Sequence, residues 1–312
     1  MTLDLSVDLA GGLRLANPVG LASGTAGFGF ELAELIDLDR IGALYTKGTT
    51  RLPRAGNAPP RVAEVAGGML NSIGLQNPGA EHVAREYAPQ FARWRCAVIV
   101  NVAGASIDEY VDCVRILDRA DGISGYELNI SCPNIAHGLD LGRDPALAAR
   151  VTSAVRAVTE RAVIVKLSPN VTDIASVAAA VENAGADAVS AVNTFVGMKI
   201  HRHSRRPVLP RAGTGGLSGP VIKPLALAAV AAVRAAVRIP VIGIGGITDT
   251  GDAVDFLIAG ADAVQVGTAT FADPAASIRI VDELPGHLES AGVSRAEELR
   301  WHAADAPMVL TR

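Results

Sequence analysis

Glu127-Leu128-Asn129-Ile130-Ser131-Cys132-Pro133-Asn134 is an apolar run that breaks into a polar turn. A buried strand reads this way when its C-terminal end opens into a site. Proline stops the strand and stiffens the turn. The asparagines offer paired donors and acceptors, and Cys132 offers a thiol that can lose its proton. An isolated cysteine is more commonly structural. The polar residues around Cys132 argue for chemistry instead.

The same kind of run recurs along the chain. Val19–Ala22, Ile41–Thr46, Ala97–Val102, Tyr126–Ile130, Ala162–Leu167, Ala188–Val192, Pro240–Ile244 and Ala263–Val266 make eight. Between most of them lie Ala-, Leu- and Arg-rich stretches with helical spacing, such as Pro145–Thr159 and Asp173–Ala184. Short apolar runs alternating with helices predict a parallel sheet. Eight such units favour an α/β fold of the (β/α)8 TIM barrel type, which takes about 250 residues. The chain has 312. No linker or low-complexity tract divides it, so a single domain over 1–312 is expected. Leu3–Leu15 alternates around Gly11-Gly12 and predicts an N-terminal hairpin closing the barrel bottom. The connections Gly48–Pro78 and Thr194–Pro220 are too long for turns. Each follows a strand, which puts both long loops on the C-terminal face, where barrel enzymes react.

Composition excludes several classes. The net charge is −4 and no long basic tract occurs, which argues against nucleic acid or an anionic membrane as partner. The short run His201-Arg202-His203-Ser204-Arg205-Arg206 is either a solvated loop or a subunit contact or site cover. The three cysteines, Cys96, Cys113 and Cys132, are scattered, so neither a metal pattern nor a disulfide framework is expected. No apolar run reaches membrane-spanning length, and the start lacks the pattern of a signal peptide. A cytoplasmic location is expected.

Two glycine clusters mark an anion site. Gly243-Ile244-Gly245-Gly246-Ile247 follows the seventh run, and Gly267-Thr268-Ala269 follows the eighth. Glycine allows close backbone approach, helix N-termini present N–H groups, and this pair of positions is the usual phosphate site of a barrel. Neither the placement nor a following acid fits a dinucleotide fingerprint, so a mononucleotide phosphate is expected. Polar residues also recur at strand ends: Lys47, Asn101, Asn129, Cys132, Lys166, Asn193 and Thr194. A lysine in an apolar strand needs a partner. That partner is either a barrel carboxylate or an anionic ligand. A flavin ring gains negative charge on reduction and would suit the second case.

Several motifs are more specific. They are Tyr45-Thr46-Lys47-Gly48-Thr49-Thr50, Pro59-Pro60-Arg61, Met69-Leu70-Asn71-Ser72-Ile73-Gly74-Leu75-Gln76-Asn77-Pro78, Asn129-Ile130-Ser131-Cys132-Pro133-Asn134 and Gly215-Gly216-Leu217-Ser218-Gly219-Pro220. With them the chain resembles the class 1 dihydroorotate dehydrogenases, most closely the catalytic subunit of the class 1B, NAD-linked enzymes. The resemblance implies FMN over the barrel mouth, lined by Ala22, Ser23, Lys47, Asn101, Asn129, Lys166 and Val192. Gly219, Gly245, Gly246, Gly267 and Thr268 would hold its ribityl phosphate region. Lys47, Asn71, Gly74, Leu75, Asn129, Asn193 and Thr194 would contact the substrate, and Cys132 would be the catalytic base. Cys96 and Cys113 lack such a setting and read as structural.

The resemblance also implies oxidation of (S)-dihydroorotate to orotate in pyrimidine biosynthesis. In class 1B enzymes a homodimer of this chain joins a second subunit carrying FAD and a [2Fe-2S] cluster, in a heterotetramer that reduces NAD+. The cluster cannot sit here, because three scattered cysteines do not supply its ligands. A fumarate-linked class 1A enzyme or a flavin enzyme acting on another dihydropyrimidine are the alternatives. One departure stands out: relatives usually carry Asp after Gly197-Met198-Lys199-Ile200, and this chain has His201.

Overall fold

Runs such as Ala97-Val98-Ile99-Val100 have two apolar faces to bury, and a closed parallel barrel wrapped in helices buries both. The computed structural model describes residues 2–131, 141–209 and 213–301. The barrel strands are β1 (Val19–Leu21), β2 (Ala43–Tyr45), β3 (Ala97–Val102), β4 (Gly125–Asn129), β5 (Ala162–Lys166), β6 (Ala188–Ala191), β7 (Val241–Ile244) and β8 (Ala263–Val266). Each pairs in parallel with the next in sequence. The ring closes where β8 meets β1, with Val264 opposite Val19 and Val266 opposite Leu21. These are the eight runs expected from the sequence, so the (β/α)8 barrel stands.

The outward side chains of the strands, Val98, Val100, Val163 and Val165 among them, bury against the surrounding helices. Helices Pro145–Arg156, Ile174–Asn183 and Thr250–Ile258 each begin after an aspartate, Asp144, Asp173 and Asp249 respectively. Each carboxylate accepts from backbone N–H groups of the first turn. That capping fixes where each strand-to-helix connection ends at the barrel mouth.

The N-terminal hairpin is present. Val7–Asp8 pairs antiparallel with Arg14–Leu15. Leu9, Leu13 and Leu15 pack onto Ala43, Tyr45, Ile99, Ile164 and Ile242, the inward residues at the lower ends of the strands. The hairpin therefore plugs the barrel bottom.

The two long connections are more ordered than expected for loops. They build one antiparallel sheet in the order Phe195–Gly197, Gly215–Ser218, Gly68–Asn71, Val62–Val65. Gly216 lies opposite Asn71 and Ser218 opposite Met69. This sheet roofs the C-terminal mouth. The run after it, with Ile200–His201 paired to Arg206–Pro207, forms a small exposed hairpin beside the roof. Among the described residues no helix is long and apolar enough to cross a membrane.

Candidate active site at the barrel mouth

Side chains alternate across a strand, so every second residue of a barrel strand points inward. The inward series read upward as Ala43, Tyr45, Lys47 from β2, and Ala97, Ile99, Asn101 from β3. They continue as Gly125, Glu127, Asn129 from β4, Ala162, Ile164, Lys166 from β5, and Ala188, Ser190, Val192 from β6. The lowest members are small, and those of β2, β3, β5 and β6 meet the hairpin plug. The upper members are polar, apart from Val192, and face a cavity of about 990 Å³. A period of two thus delivers Lys47, Asn101, Asn129 and Lys166 to one level.

Every described residue expected at the site lines this cavity. Ala22, Ser23, Lys47, Asn101, Asn129, Lys166 and Val192 form its floor and walls. Asn71, Gly74, Leu75, Asn193 and Thr194 come from the roof side, and Gly219, Gly245, Gly246, Gly267 and Thr268 from the glycine end. Cys132 lies outside the described residues. Arg54, Asn57, Arg143, Ser168, Asn170 and Thr214 also line the cavity and had no sequence signal.

Beneath the floor sits a charged group that the strand reading passed over. Glu127 is fully buried. Its Oε1 accepts from Ser190 Oγ at 2.8 Å and from Gln265 Nε2 at 2.9 Å. Its Oε2 accepts from Asn101 Nδ2 at 2.6 Å and lies 3.6 Å from Lys166 Nζ. Lys166 therefore has a barrel carboxylate as partner, one of the two readings made of it from sequence, and it also lines the cavity. The Tyr45 phenol, sealed beside this group, has its pKa pushed well up by burial and then by the Glu127 charge. The signal for Glu127 was in the opening motif itself: an acid in an apolar strand, in step with Asn129.

The roof end of the cavity is held by asparagine side chains. Asn193 Nδ2 donates to Asn129 Oδ1 at 3.1 Å, and Asn71 Nδ2 donates to the Gly216 carbonyl at 3.2 Å. Leu75 has a φ of 55°, a left-handed conformation that a leucine adopts only under constraint. Asn77 supplies the constraint. Its Nδ2 donates to the Leu75 carbonyl at 2.7 Å and to Thr50 Oγ1 at 2.8 Å, while its Oδ1 accepts from the Gly79 N–H at 2.9 Å. Lys47 is half-buried, and burial, then the nearby Arg61 guanidinium, lower its pKa. A lysine in that state gains most from an anion in the cavity.

At the glycine end, Gly246 has a φ of 83° and packs tightly on the start of helix Lys223–Ala236. A Cβ there would stand 2.8 Å from the Lys223 backbone nitrogen. At Gly267 the missing side chain leaves space bounded by Ala22 Cβ at 3.4 Å. Asp252 braces the turn from behind. It accepts from Thr248 N at 2.8 Å and is paired with Lys223. Thr268 Oγ1 donates to Ser218 Oγ at 2.8 Å, which links this end to the roof.

Cys96 and Cys113 are buried free thiols away from this chemistry. Burial, then the Asp39 charge, pushes the Cys96 thiol up to about 12. Burial, then Glu109, pushes Cys113 higher still. Both fit the structural role expected of them. Among the described residues no cluster of metal-ligating side chains occurs.

A sequence model of the family described as dihydroorotate dehydrogenase matches residues 5–288. The chain belongs to the dihydroorotate dehydrogenase family. Among its curated relatives in that family is a protein of Pelobacter propionicus, 51% identical over 96% of this chain and 98% of its own length. One of Geobacter metallireducens is 50% identical over 95% of this chain and 97% of its own. One of Listeria welshimeri is 47% identical over 96% and 99%. All three are named dihydroorotate dehydrogenase B (NAD(+)), catalytic subunit. The dihydroorotate dehydrogenase match spans the barrel from the hairpin plug to the last long helix, Ala276–Ala291.

Proposed function

We propose that this chain is the catalytic subunit of an NAD+-linked dihydroorotate dehydrogenase. It oxidises (S)-dihydroorotate to orotate in pyrimidine (UMP) biosynthesis, with FMN in the barrel mouth. One observation carries the reading: Lys47 and Lys166, the amides of Asn71, Asn101, Asn129 and Asn193, and the two glycine turns converge on a single cavity. The 47–51% identity to proteins of that name supports it over most of the chain.

The residues suit the cofactor. Asn101 Oδ1 is buried without a hydrogen-bond partner among the described residues, as an acceptor reserved for a ligand would be. The absence of a side chain at Gly267 and the braced turn at Gly245-Gly246 suit a phosphate-bearing chain. When bound, FMN supplies a hydride acceptor whose pyrimidine edge gains negative charge. Lys166 would lie against that edge. Ala22, Ser23, Asn101 and Val192 pack around the ring, and Gly219, Gly245, Gly246, Gly267 and Thr268 hold the phosphate region.

The chain's own groups then handle the substrate. Lys47 holds its carboxylate. Asn71, Asn129, Asn193 and Thr194, with the backbone at Gly74 and Leu75, read its pyrimidine edges, since each amide can both give and accept. Cys132, as a thiolate, takes the C5 proton while hydride leaves C6. A free thiol has a pKa of about 8.5, so the base role requires the thiolate to be made accessible in the site. The roof sheet excludes water from the reacting atoms.

Electrons leave to a second subunit carrying FAD and a [2Fe-2S] cluster and then to NAD+. Two copies of this chain pair as a dimer, and two partner subunits complete a heterotetramer in the cytoplasm. The test is direct. The purified chain is yellow, and anaerobic dihydroorotate bleaches it. NAD+ is reduced only when the FAD and iron-sulfur subunit is added. A colourless chain that takes up no FMN overturns the flavin reading. Efficient turnover with fumarate by the chain alone overturns the partner reading.

A further inference from the structure

Glu127 is the least expected group in the barrel. A buried carboxylate costs several kcal/mol unless it is paired and hydrogen-bonded. Here four other strands answer it: Asn101 from β3, Lys166 from β5, Ser190 from β6 and Gln265 from β8. Three neutral donors and one cation surround a single carboxylate, and all favour its charged form.

The geometry on the lysine side is as informative. Strong ammonium–carboxylate hydrogen bonds run about 2.7–2.9 Å. The Lys166–Glu127 separation is 3.6 Å, and among the described residues no closer partner of Lys166 Nζ occurs. Glu127 compensates the charge of Lys166 without occupying its donors. Those donors remain available to the cavity that Lys166 lines. Among the described residues, the Tyr45 phenol on β2 lies beside Glu127, and Lys47, two residues beyond it, lines the same cavity as Lys166. Tyr45 stays neutral in its sealed position. Lys47 adds a second positive charge on the cavity side, so Glu127 balances one of the two lysines and the cavity side keeps a net positive charge.

We propose that Glu127 is a positioning residue that keeps Lys166 protonated and fixed under the cavity in both redox states of the bound flavin. The inference rests on the flavin reading above. In the wild type the substrate hydride brings two electrons and one proton equivalent to the flavin, and Lys166 neither gains nor loses a proton. Without Glu127, a buried Lys166 facing an oxidised, uncharged ring loses its counter-charge and shifts toward the neutral amine. Reduction then restores an anion beside it, and Lys166 takes one proton from bulk water.

The experiment is the pH dependence of the flavin midpoint potential in the FMN-loaded protein as it purifies, for wild type, Glu127→Gln and Glu127→Gln with Lys166→Met. The single variant is expected to show one additional proton per two electrons over part of the range from pH 6 to 10. The double variant is expected to return to the wild-type slope, because the group that takes the proton is gone. A single variant with the wild-type slope, or a double variant that keeps the additional proton, overturns the proposal. Should Glu127→Gln fail to fold, the wild-type protein carries the test. With 13C-labelled glutamate, its infrared difference spectrum on flavin reduction is expected to show no protonated-carboxyl band from Glu127. Appearance of that band overturns the proposal. A wild-type chain that binds no FMN would be a failure of the flavin reading, visible before any variant is made.

Discussion

Asn193 Nδ2 donates to Asn129 Oδ1 over 3.1 Å, joining the connection after β6 to the end of β4 across the intervening β5. Asn193 Oδ1 also accepts from the Thr194 N–H at 2.8 Å and Asn129 Oδ1 from the Ser131 N–H at 3.3 Å, so both amides are held in one orientation. Removing either partner leaves a polar atom unpaired, at a cost of about 1–3 kcal/mol. Asn193→Ala is therefore expected to lower kcat/KM for dihydroorotate by roughly 10- to 100-fold, at about tenfold per 1.4 kcal/mol. FMN content is expected to stay unchanged. Steady-state kinetics and the flavin absorbance of the purified variant check both halves.

Cys132→Ala is expected to keep FMN and to slow flavin reduction by dihydroorotate by a factor on the order of 10² or more. Cys132→Ser is expected to retain activity only at high pH, because a hydroxyl is a far weaker acid than a thiol. Rapid mixing under anaerobic conditions measures both. Reduction of the alanine variant at the wild-type rate would remove Cys132 from the base role.

Lys47 carries a pH dependence whose sign follows from its lowered pKa. Burial, then Arg61, makes the charged form less favourable in the folded protein than in the unfolded chain. Below the folded pKa, Lys47 is charged in both states, and its burial penalty destabilises the fold in full. As pH rises through the folded pKa toward the unfolded value, the penalty is relieved. Lys47→Met is therefore expected to raise the Tm of the substrate-free protein at neutral pH, on the order of 2 °C. The gain should shrink toward zero above 10.5, the ordinary value of a lysine. The same substitution is expected to abolish orotate binding. Calorimetry across pH is the measurement, and a gain that grows with pH would contradict the assignment.

Gly246→Ala tests the anion cradle. The substitution forces a left-handed backbone onto alanine, and its Cβ meets the Lys223 backbone. A cost of about 1–3 kcal/mol in stability is expected, with loss of FMN on gel filtration. Retention of cofactor at wild-type Tm would show that the turn is not tight.

Thiol reactivity separates the cysteines. Cys96 and Cys113 are buried, with thiols held well above the usual range. In native protein at pH 8 neither is expected to react with an aromatic disulfide reagent until the chain unfolds. Mass spectrometry of the labelled peptides identifies which thiol reacts first.

The barrel was legible because its signal is local. A strand such as Ala162–Lys166 announces itself by a short apolar run, and eight of these in sequence leave few topologies. The site was legible where the motifs specified it, and period-two alternation explains why Lys47, Asn101, Asn129 and Lys166 converge. The roof was not legible. Its strands are three or four residues long, and Asn71 finds Gly216 across 145 positions. No local pattern encodes such a pairing. The charged belt was hidden for the same reason. Glu127, Ser190 and Gln265 each look like an oddity in an apolar strand, and only closure of the barrel makes them one hydrogen-bonded group.

That closure has a consequence for how the protein is made. β1 emerges from the ribosome near the start of synthesis, yet the strand that completes its pairing, β8, ends at Val266. The roof waits for Gly215–Ser218, and the glycine cradle waits for Thr268. A nascent chain therefore carries its hairpin plug and seven of its strands with an open seam until β8 has been joined. Cofactor capture is consequently a late event in the life of each molecule, and a chain cut short before β8 can hold neither a sealed barrel nor a ligand.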